Sequence, residues 1–298
     1  MYRTKSADIR NMTHAQSSPG KPPTRLRSRI VGTVLGVLCA IVGLAGLQLT
    51  FHKSVAGTNG TPREREALFE MLQPVALSNC RLERFGETHD GGYLMCGNLL
   101  EKVQAGYSYG IDGYDQWGCD ISTKHNVTVH EYDCFNITQP ACSAGRLSFH
   151  AECVGDTART EEGRPFDTIQ NQFAKNGDSS KRIVMKIDVE GAEWNSFLSA
   201  PDEILEQIDQ MAVEFHGVED RKSLAVVQRL KKFFEVAHLH FNNARCVRGM
   251  EPFPSWAYEV LFVSKRLAVV DPSRKAGGLD PVDARNIPYF LDCQPRAH

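Results

Sequence analysis

A chain of 298 residues with 42% hydrophobic residues and a net charge of −2 has room for one sizeable domain with appendages. The near-neutral total hides a split. Residues 1–29 hold seven of the 34 Lys/Arg and one of the 36 Asp/Glu, and residues 30–51 hold no charge, which leaves −8 for everything beyond. A domain that acidic excludes recognition of nucleic acid through its phosphates.

Residues 1–29 are polar and basic and read as a disordered cytosolic tail. Residues 30–51, "IVGTVLGVLCAIVGLAGLQLTF", are apolar throughout. Roughly 20 helical residues cross a hydrocarbon core, so this stretch reads as a transmembrane signal anchor. A cleaved signal ending near Ala45 or Ala56 is the alternative. Arg25, Arg27 and Arg29 before the span keep the N-terminus cytosolic, giving a single-pass type II protein of the Golgi or another secretory membrane. Residues 52–62, "HKSVAGTNGTP", read as a stem. Cys39 lies in the span, and eight cysteines follow it: Cys80, Cys96, Cys119, Cys134, Cys142, Cys153, Cys246 and Cys293. An even set in an oxidising compartment predicts disulfides, with Cys80–Cys96 the expected local pair because the two flank a turn-rich segment. The sequons at Asn126 and Asn136 fit the same route.

The main domain is expected over residues 63–266. A first helix carries Leu68, Leu72 and Val75 on one face. Then strand-like runs follow in order: "AGYSYGI" (105–111), "VTVHEYD" (127–133), "LSFHAECVG" (147–155), "RIVMKIDV" (182–189), "QMAVEFH" (210–216), "VAHLHFN" (236–242) and "WAYEVLFVSK" (256–265). Between the fifth and sixth, Leu224, Val227, Leu230 and Phe234 recur at helical spacing. Such alternation predicts an α/β fold with a parallel sheet and helices on both faces. Ligands of such sheets bind beyond the carboxyl ends of the strands, which puts Gly110, Asp133, Gly155, Asp156, Asp188 and Glu214 on one rim. Residues 267–298 read as a coil tail.

The first turn, "YSYGIDGYD", spaces Gly110 and Gly113 three apart with Asp112 between them. A dinucleotide site wants G-x-G-x-x-G facing a pyrophosphate. A carboxylate inside the turn repels phosphate and suits a cationic or hydroxyl-bearing ligand; an ordinary β-turn is the bland alternative. Asp133 ends the second strand, where an acid can accept ribose hydroxyls. The fourth strand runs into Asp188, Glu190 and Glu193, and one acid near a helix N-terminus needs no more explanation than a cap. Three suggest a site for an ammonium, a sulfonium, a divalent metal or an acceptor hydroxyl. Glu214 and His216 end the neighbouring strand, where the imidazole could serve as general base. His238 and His240 share a strand face without a third ligand, and no metal-ligand set is assigned.

"KIDVEGAEW" (186–194), preceded by "YSYGIDGYD" and "VHEYD" and followed by "VEFH", resembles the FkbM-like class I methyltransferases over about residues 80–265. "RFGETHDGGYLMCG" and the apolar span look more like the membrane-tethered branch of that family. The resemblance implies a Rossmann-like sheet of seven strands with the last antiparallel, S-adenosylmethionine as cofactor, and transfer to oxygen. It places Gly110, Asp112 and Gly113 at the methionine end, Asp133 at the ribose, Asp156 at the adenine edge and Asp188 beside the methyl group. "GIDGYD" departs from the more glycine- or asparagine-rich loop of many relatives. The catalytic set is then Asp188, Glu190, Glu214 and His216, acting on a sugar or other hydroxyl of a small-molecule or glycan acceptor. Its proton leaves to His216 or a carboxylate, or a Mg²⁺ held by Asp188 and Glu214 lowers its pKa. Two rival classes stand beside this one: a metal-dependent Golgi glycosyltransferase using Asp188-x-Glu190, and a non-catalytic lumenal module with the same fold.

Overall fold

All seven apolar runs contribute a strand to one sheet, but the third, expected over 147–155, breaks after His150, and Cys153–Val154 pair in a separate small sheet. The structure is a computed structural model and describes residues 61–218, 220–276 and 282–295. The expected tail (1–29), span (30–51) and most of the stem lie outside the described residues, and no described helix is long and apolar enough to cross a membrane. The chain runs α1 (Pro62–Met71), β1 (Leu82–Gly86), β2 (Gly92–Cys96), β3 (Ala105–Tyr109), α2 (Gln116–His125), β4 (Thr128–Tyr132), β5 (Arg146–His150), β6 (Cys153–Val154), β7 (Arg159–Glu161) and β8 (Arg164–Asp167). There follow α3 (Ile169–Lys175), β9 (Ile183–Asp188), α4 (Ala192–Ser199), α5 (Asp202–Gln207), β10 (Ile208–His216), α6 (Asp220–Phe233), β11 (Phe234–Phe241) and β12 (Ala257–Ser264).

The main sheet has the order β11-β12-β10-β9-β3-β4-β5. Pairs β3–β4, β4–β5, β3–β9 and β9–β10 are parallel, whereas β12 runs antiparallel to both its neighbours. This mixed seven-stranded α/β sheet is compatible with the Rossmann-like architecture expected above, its last strand antiparallel included. From β3 the chain winds outward through β4 and β5, then returns at β9 to wind the other way. The reversal opens a crevice between the carboxyl ends of β3 and β9.

Strand alternation sends side chains to two cores. On one face Tyr107, Met185, Ile187, Val213 and Phe215 pack with Leu68 and Leu72 of α1, Phe173 of α3, Trp194 and Phe197 of α4, and Val227 and Leu230 of α6. On the other face Val129, Val184, Ala212 and Val263 pack with Phe85, Tyr93 and Met95 of the β1–β2 hairpin and with Trp117 and Ile121 of α2. Burying each such large apolar side chain stabilises the fold by about 1.5–3 kcal/mol. The hairpin and the small β6-β8-β7 sheet are additions that the strand pattern of the sequence does not announce.

All eight cysteines of the domain are paired: Cys80–Cys96, as expected, and Cys119–Cys142, Cys134–Cys153 and Cys246–Cys293. The described residues after 266 form no helix or strand, yet they are tied down. Leu77 and Val270 form an isolated β-bridge, Cys293 is held by its disulfide, and Asn243 binds the backbone of Ile287 and Phe290. Asp283 and Asn286 reach His238 and His240 on β11.

Candidate active site

Gly110 closes β3 at the crevice with φ +72°, and a Cβ there would lie 1.6 Å from the carbonyl oxygen of Asp188. Only glycine lets these two strand ends come so close. Lys186 cements the contact. Buried in β9, it donates to the Gly110 carbonyl at 2.6 Å and stands 3.6 Å from Asp188 Oδ2.

The "KIDVEGAEW" stretch then divides its labour. Glu190 turns the chain with φ +55° and Gly191 with φ +105°. A left-handed glutamate carries roughly 1–3 kcal/mol of strain, and strain of this kind gathers at functional sites. The Glu190 side chain is 87% exposed and leans over the strand ends. Glu193 is fully buried and does something else: its Oε2 accepts from the Gly191 N–H at 2.8 Å and its Oε1 from the His216 N–H at 2.7 Å. Trp194 stacks on Phe215 at 4.2 Å and donates to the His216 carbonyl. The motif's last two residues therefore lock the end of β10 against α4 and fix where His216 sits.

Register sets an unusual row of acids. Asp188 lies opposite Glu214 across β9–β10, Glu214 opposite Glu259 across β10–β12, and Glu259 opposite His240 across β12–β11. Tyr93, brought in by the hairpin, donates to Asp188 Oδ2 at 3.0 Å, and its oxygen is 3.4 Å from Glu214 Oε2. Asn242 donates to Glu214 Oε1 at 2.9 Å. Burial, with the charges of Asp188 and Glu259 beside it, pushes Glu214 up to about 8. Burial would lower the His216 imidazole, but Glu193, Glu214 and Asp188 around it prevail and raise it to about 9. The Tyr93 phenol is raised by burial and by the same acids.

Two clefts meet at this row. One, of about 300 Å³, is lined by Gly110, Asp112, Tyr132, Asp133, Phe135, Val154, Phe166, Asp188 and Glu190. The other, of about 280 Å³, is lined by Asp90, Asp188, Glu190, Glu214, His216, Asn242 and Trp256. Asp188 and Glu190 belong to both. The structure thus brings together all four residues of the expected catalytic set, and Asp188, Glu190 and His216 can place one ligand atom each within 4.8 Å of one another.

The expected cofactor residues are sorted differently. Gly110 and Asp112 line the first cleft, while Gly113 sits behind it, closing the turn against Asn136. Asp133 lines the cleft, but its carboxylate is occupied. Oδ2 accepts from the N–H groups of Ile111 and Asp112 at 3.2 and 2.9 Å, and Oδ1 from those of Phe135 and Asn136 at 2.8 and 3.0 Å. A carboxylate offers about four acceptor positions, and here four donors claim them. Asp133 therefore laces the glycine turn to the loop after β4. Asp156 is not among the lining residues; its carboxylate meets Arg159 at 2.8 Å, a pair with both side chains well exposed. Sequence reasoning missed Tyr93, Asn242 and Lys186. It also missed the buried pair behind the turn, where Asp115 caps α2 and Glu131 is pushed up to about 9 by burial and by Asp115.

No family model and no curated protein matches the chain. Among solved structures it is similar to a fibrillarin pre-rRNA processing protein of Methanococcus jannaschii, with 11% identity over 56% of this chain and 68% of that one and a TM-score of 0.29. A likeness that slight carries no weight for function.

Proposed function

We propose that the chain is an S-adenosylmethionine-dependent methyltransferase acting on a hydroxyl of a sugar or other acceptor. The observation that carries this reading is the meeting of two clefts at Asp188, on the switch point of a sheet compatible with such enzymes. The first cleft fits the cofactor. Its volume suits a small ligand largely enclosed, Tyr132, Phe135, Val154 and Phe166 give it apolar walls, and Asp112, Asp188 and Glu190 give it acids for an ammonium and a sulfonium. When bound, the cofactor supplies an electrophilic methyl group.

The chain's own residues supply alignment and charge. Gly110 and Asp112 would hold the amino-acid end of the cofactor, and Val154 and Phe166 would supply the apolar contacts for its flat ring. Asp188 faces both clefts, so it stands between the donor side and the acceptor side, with its Oδ2 fixed by the Tyr93 hydroxyl. The acceptor's hydroxyl proton is lost to the Asp188 carboxylate, with His216, raised to about 9, as its cationic neighbour 3.7 Å away. Four disulfides support a compartment that is oxidising, in keeping with a lumenal domain of the secretory pathway.

Isothermal titration of the purified protein with S-adenosylhomocysteine tests the reading, followed by a labelled-methyl assay on glycan acceptors. Saturable one-to-one binding is expected. A protein that ignores S-adenosylhomocysteine but is stabilised by a UDP-sugar with Mn²⁺ would instead be a glycosyltransferase. The convergence of Asp188 and Glu190 on one point favours that as the second reading.

A further inference from the structure

The second cleft holds a feature that methyl transfer by itself does not require. His216 Nε2 stands 3.7 Å from Asp188 Oδ1, 3.9 Å from Glu190 Oε2 and 3.9 Å from Glu214 Oε1. These gaps are too wide for hydrogen bonds, which close at about 2.7–3.2 Å. They are about the width of one ion: ligand atoms bonded at roughly 2.1 Å to a common centre stand roughly 3–4 Å from each other.

The imidazole is also held as a ligand is held. His216 is 8% exposed and lines the cleft. Its Nδ1 makes no well-formed hydrogen bond but lies 3.4 Å from Glu193 Oε1. A carboxylate behind Nδ1 keeps a proton on that nitrogen, so an entering ion has only the Nε2 proton to displace and meets a lone pair directed outward, the arrangement that commonly orients metal-bound histidines. Glu193 is itself immobilised by the Gly191 and His216 N–H groups. Glu190 is poised over the same point by its left-handed turn, and as the exposed member it can swing inward to close the set.

We propose that Asp188, Glu190 and His216 bind a divalent metal ion, with Glu214 beside it as a further oxygen donor. One imidazole among carboxylates suits Mn²⁺ better than Mg²⁺, since imidazole is a ligand for the transition metals and carboxylate for the harder ions. The site opens to the acceptor cleft, so it takes a hydroxyl or vicinal hydroxyls of the acceptor in its remaining positions. A bound ion lowers the pKa of such a hydroxyl. The acceptor oxygen then forms its bond to the methyl carbon as the carbon–sulfur bond breaks with its pair left on sulfur, and the hydroxyl proton passes to water instead of to Asp188, whose carboxylate the ion engages. That role rests on the methyltransferase reading; the binding of the ion does not.

Titration of the full-length protein with Mn²⁺, followed by the electron paramagnetic resonance signal of the free ion, tests the proposal. One Mn²⁺ per chain is expected. Glu190→Gln, at an exposed position that will not disturb folding, should weaken binding at least tenfold, since even losing an outer partner of a metal site costs roughly 10–100-fold. His216→Gln should weaken it further, with circular dichroism confirming the fold. Absence of stoichiometric Mn²⁺ binding, or binding unchanged in Glu190→Gln, overturns the site. A parallel titration with S-adenosylhomocysteine separates the two readings. Mn²⁺ binding without S-adenosylhomocysteine binding leaves the metal site standing and removes the methyltransferase; the reverse result removes the metal site alone.

Discussion

The two clefts that share Asp188 treat their acids in opposite ways. On the donor side Asp133 is saturated: four backbone N–H groups converge on its two oxygens. On the acceptor side Asp188, Glu190 and Glu214 crowd around the His216 imidazole with Glu259 next to Glu214 in the row, and the hydrogen bonds from Tyr93, Asn242 and Asn286 still leave Glu214 pushed up to about 8 and Glu259 raised. The difference separates acids that shape a loop from acids that wait for a ligand. A carboxylate whose lone pairs are all engaged holds the fold together. Carboxylates forced together in a cleft cost stability, and folds tolerate that cost where chemistry needs it.

The largest effect should come from breaking the saturated side. Asp133→Ala strands four N–H groups in a nearly buried turn, and each charge-assisted bond is worth about 1.5–3 kcal/mol. Allowing for water reaching some of them, a loss of about 3 kcal/mol or more is expected, read from the urea midpoint with the disulfides intact. Asp133→Asn, which keeps one acceptor oxygen, should fall between. If Asp133→Ala keeps its midpoint and loses only S-adenosylhomocysteine binding, Asp133 is a ribose acceptor after all and the comparison fails.

Next in size is the loss of charge where the clefts join. Asp188→Asn keeps the shape and the Tyr93 hydroxyl as a partner but removes the charge between donor and acceptor. Turnover should fall by roughly 100-fold, the usual scale for one electrostatic group aimed at a transition state. Affinity for S-adenosylhomocysteine should change by less than about tenfold. Equal losses in both would move Asp188 to ground-state binding.

Much of this was legible in the sequence, and the limits have physical causes. The sheet was readable because strands buried on both faces are written as continuous apolar runs, and "RIVMKIDV" or "YEVLFVSK" cannot be much else. That Asp188, Glu190, Glu214 and His216 lie together was readable because the carboxyl ends of adjacent parallel strands meet in space whatever the loops do. The role of Asp133 was not, since four backbone donors from two loops depend on the conformation of "GIDG" and "CFN" rather than on residue type. Tyr93 reaches Asp188 across 95 residues through a hairpin that has no sheet periodicity of its own. Glu193 looked like one more acid of the site, and only its two bonds to backbone N–H reveal it as a latch. The coil after 266 carried no periodic signal, because an isolated β-bridge, single side chains and one disulfide anchor it.

Asp283, in that anchored segment, is a third kind of acid and sharpens the comparison by pH. It is engaged like Asp133, but by imidazoles: His238 Nε2 at 3.0 Å and His240 Nδ1 at 3.1 Å, with Arg84 3.8 Å away. Glu259 and Asn286 face His240 from the other side. Burial would lower His240, yet Asp283 and Glu259 raise it to about 9, above its ordinary 6.5. Burial would likewise raise Asp283, yet the two imidazoles hold it well below its ordinary range. The imidazole's contribution is complete below pH 6.5 and fades as pH climbs towards about 9; that of the carboxylate is present above 3.8 and fades in acid. The tie is therefore strongest between these limits, and the part lost on the alkaline side is on the order of 2 kcal/mol. Urea midpoints of the wild type minus those of Asp283→Asn, taken from pH 6 to 9.5, isolate it from the other titrating groups. A difference that does not vary over that range would show that the segment is held by Cys246–Cys293 and Asn243 alone.

The smallest effect expected is a gain. Glu214 stands between Asp188 and Glu259 in one row, and burial with repulsion from those two acids raises it to about 8, so folding near neutral pH obliges it to take up a proton that glutamine does not need. Glu214→Gln keeps an oxygen to accept from Asn242 and adds an amide that can donate to Asp188. The folded protein should become about 1 kcal/mol more stable, in the manner of active-site acids whose replacement trades activity for stability. Turnover should drop at the same time if the row serves an acceptor or an ion. The informative failure is a marked loss of stability in Glu214→Gln. The repulsion would then already be relieved in the wild type by a cation held tightly through purification, and stripping that cation with a chelator should bring the two proteins back into the expected order.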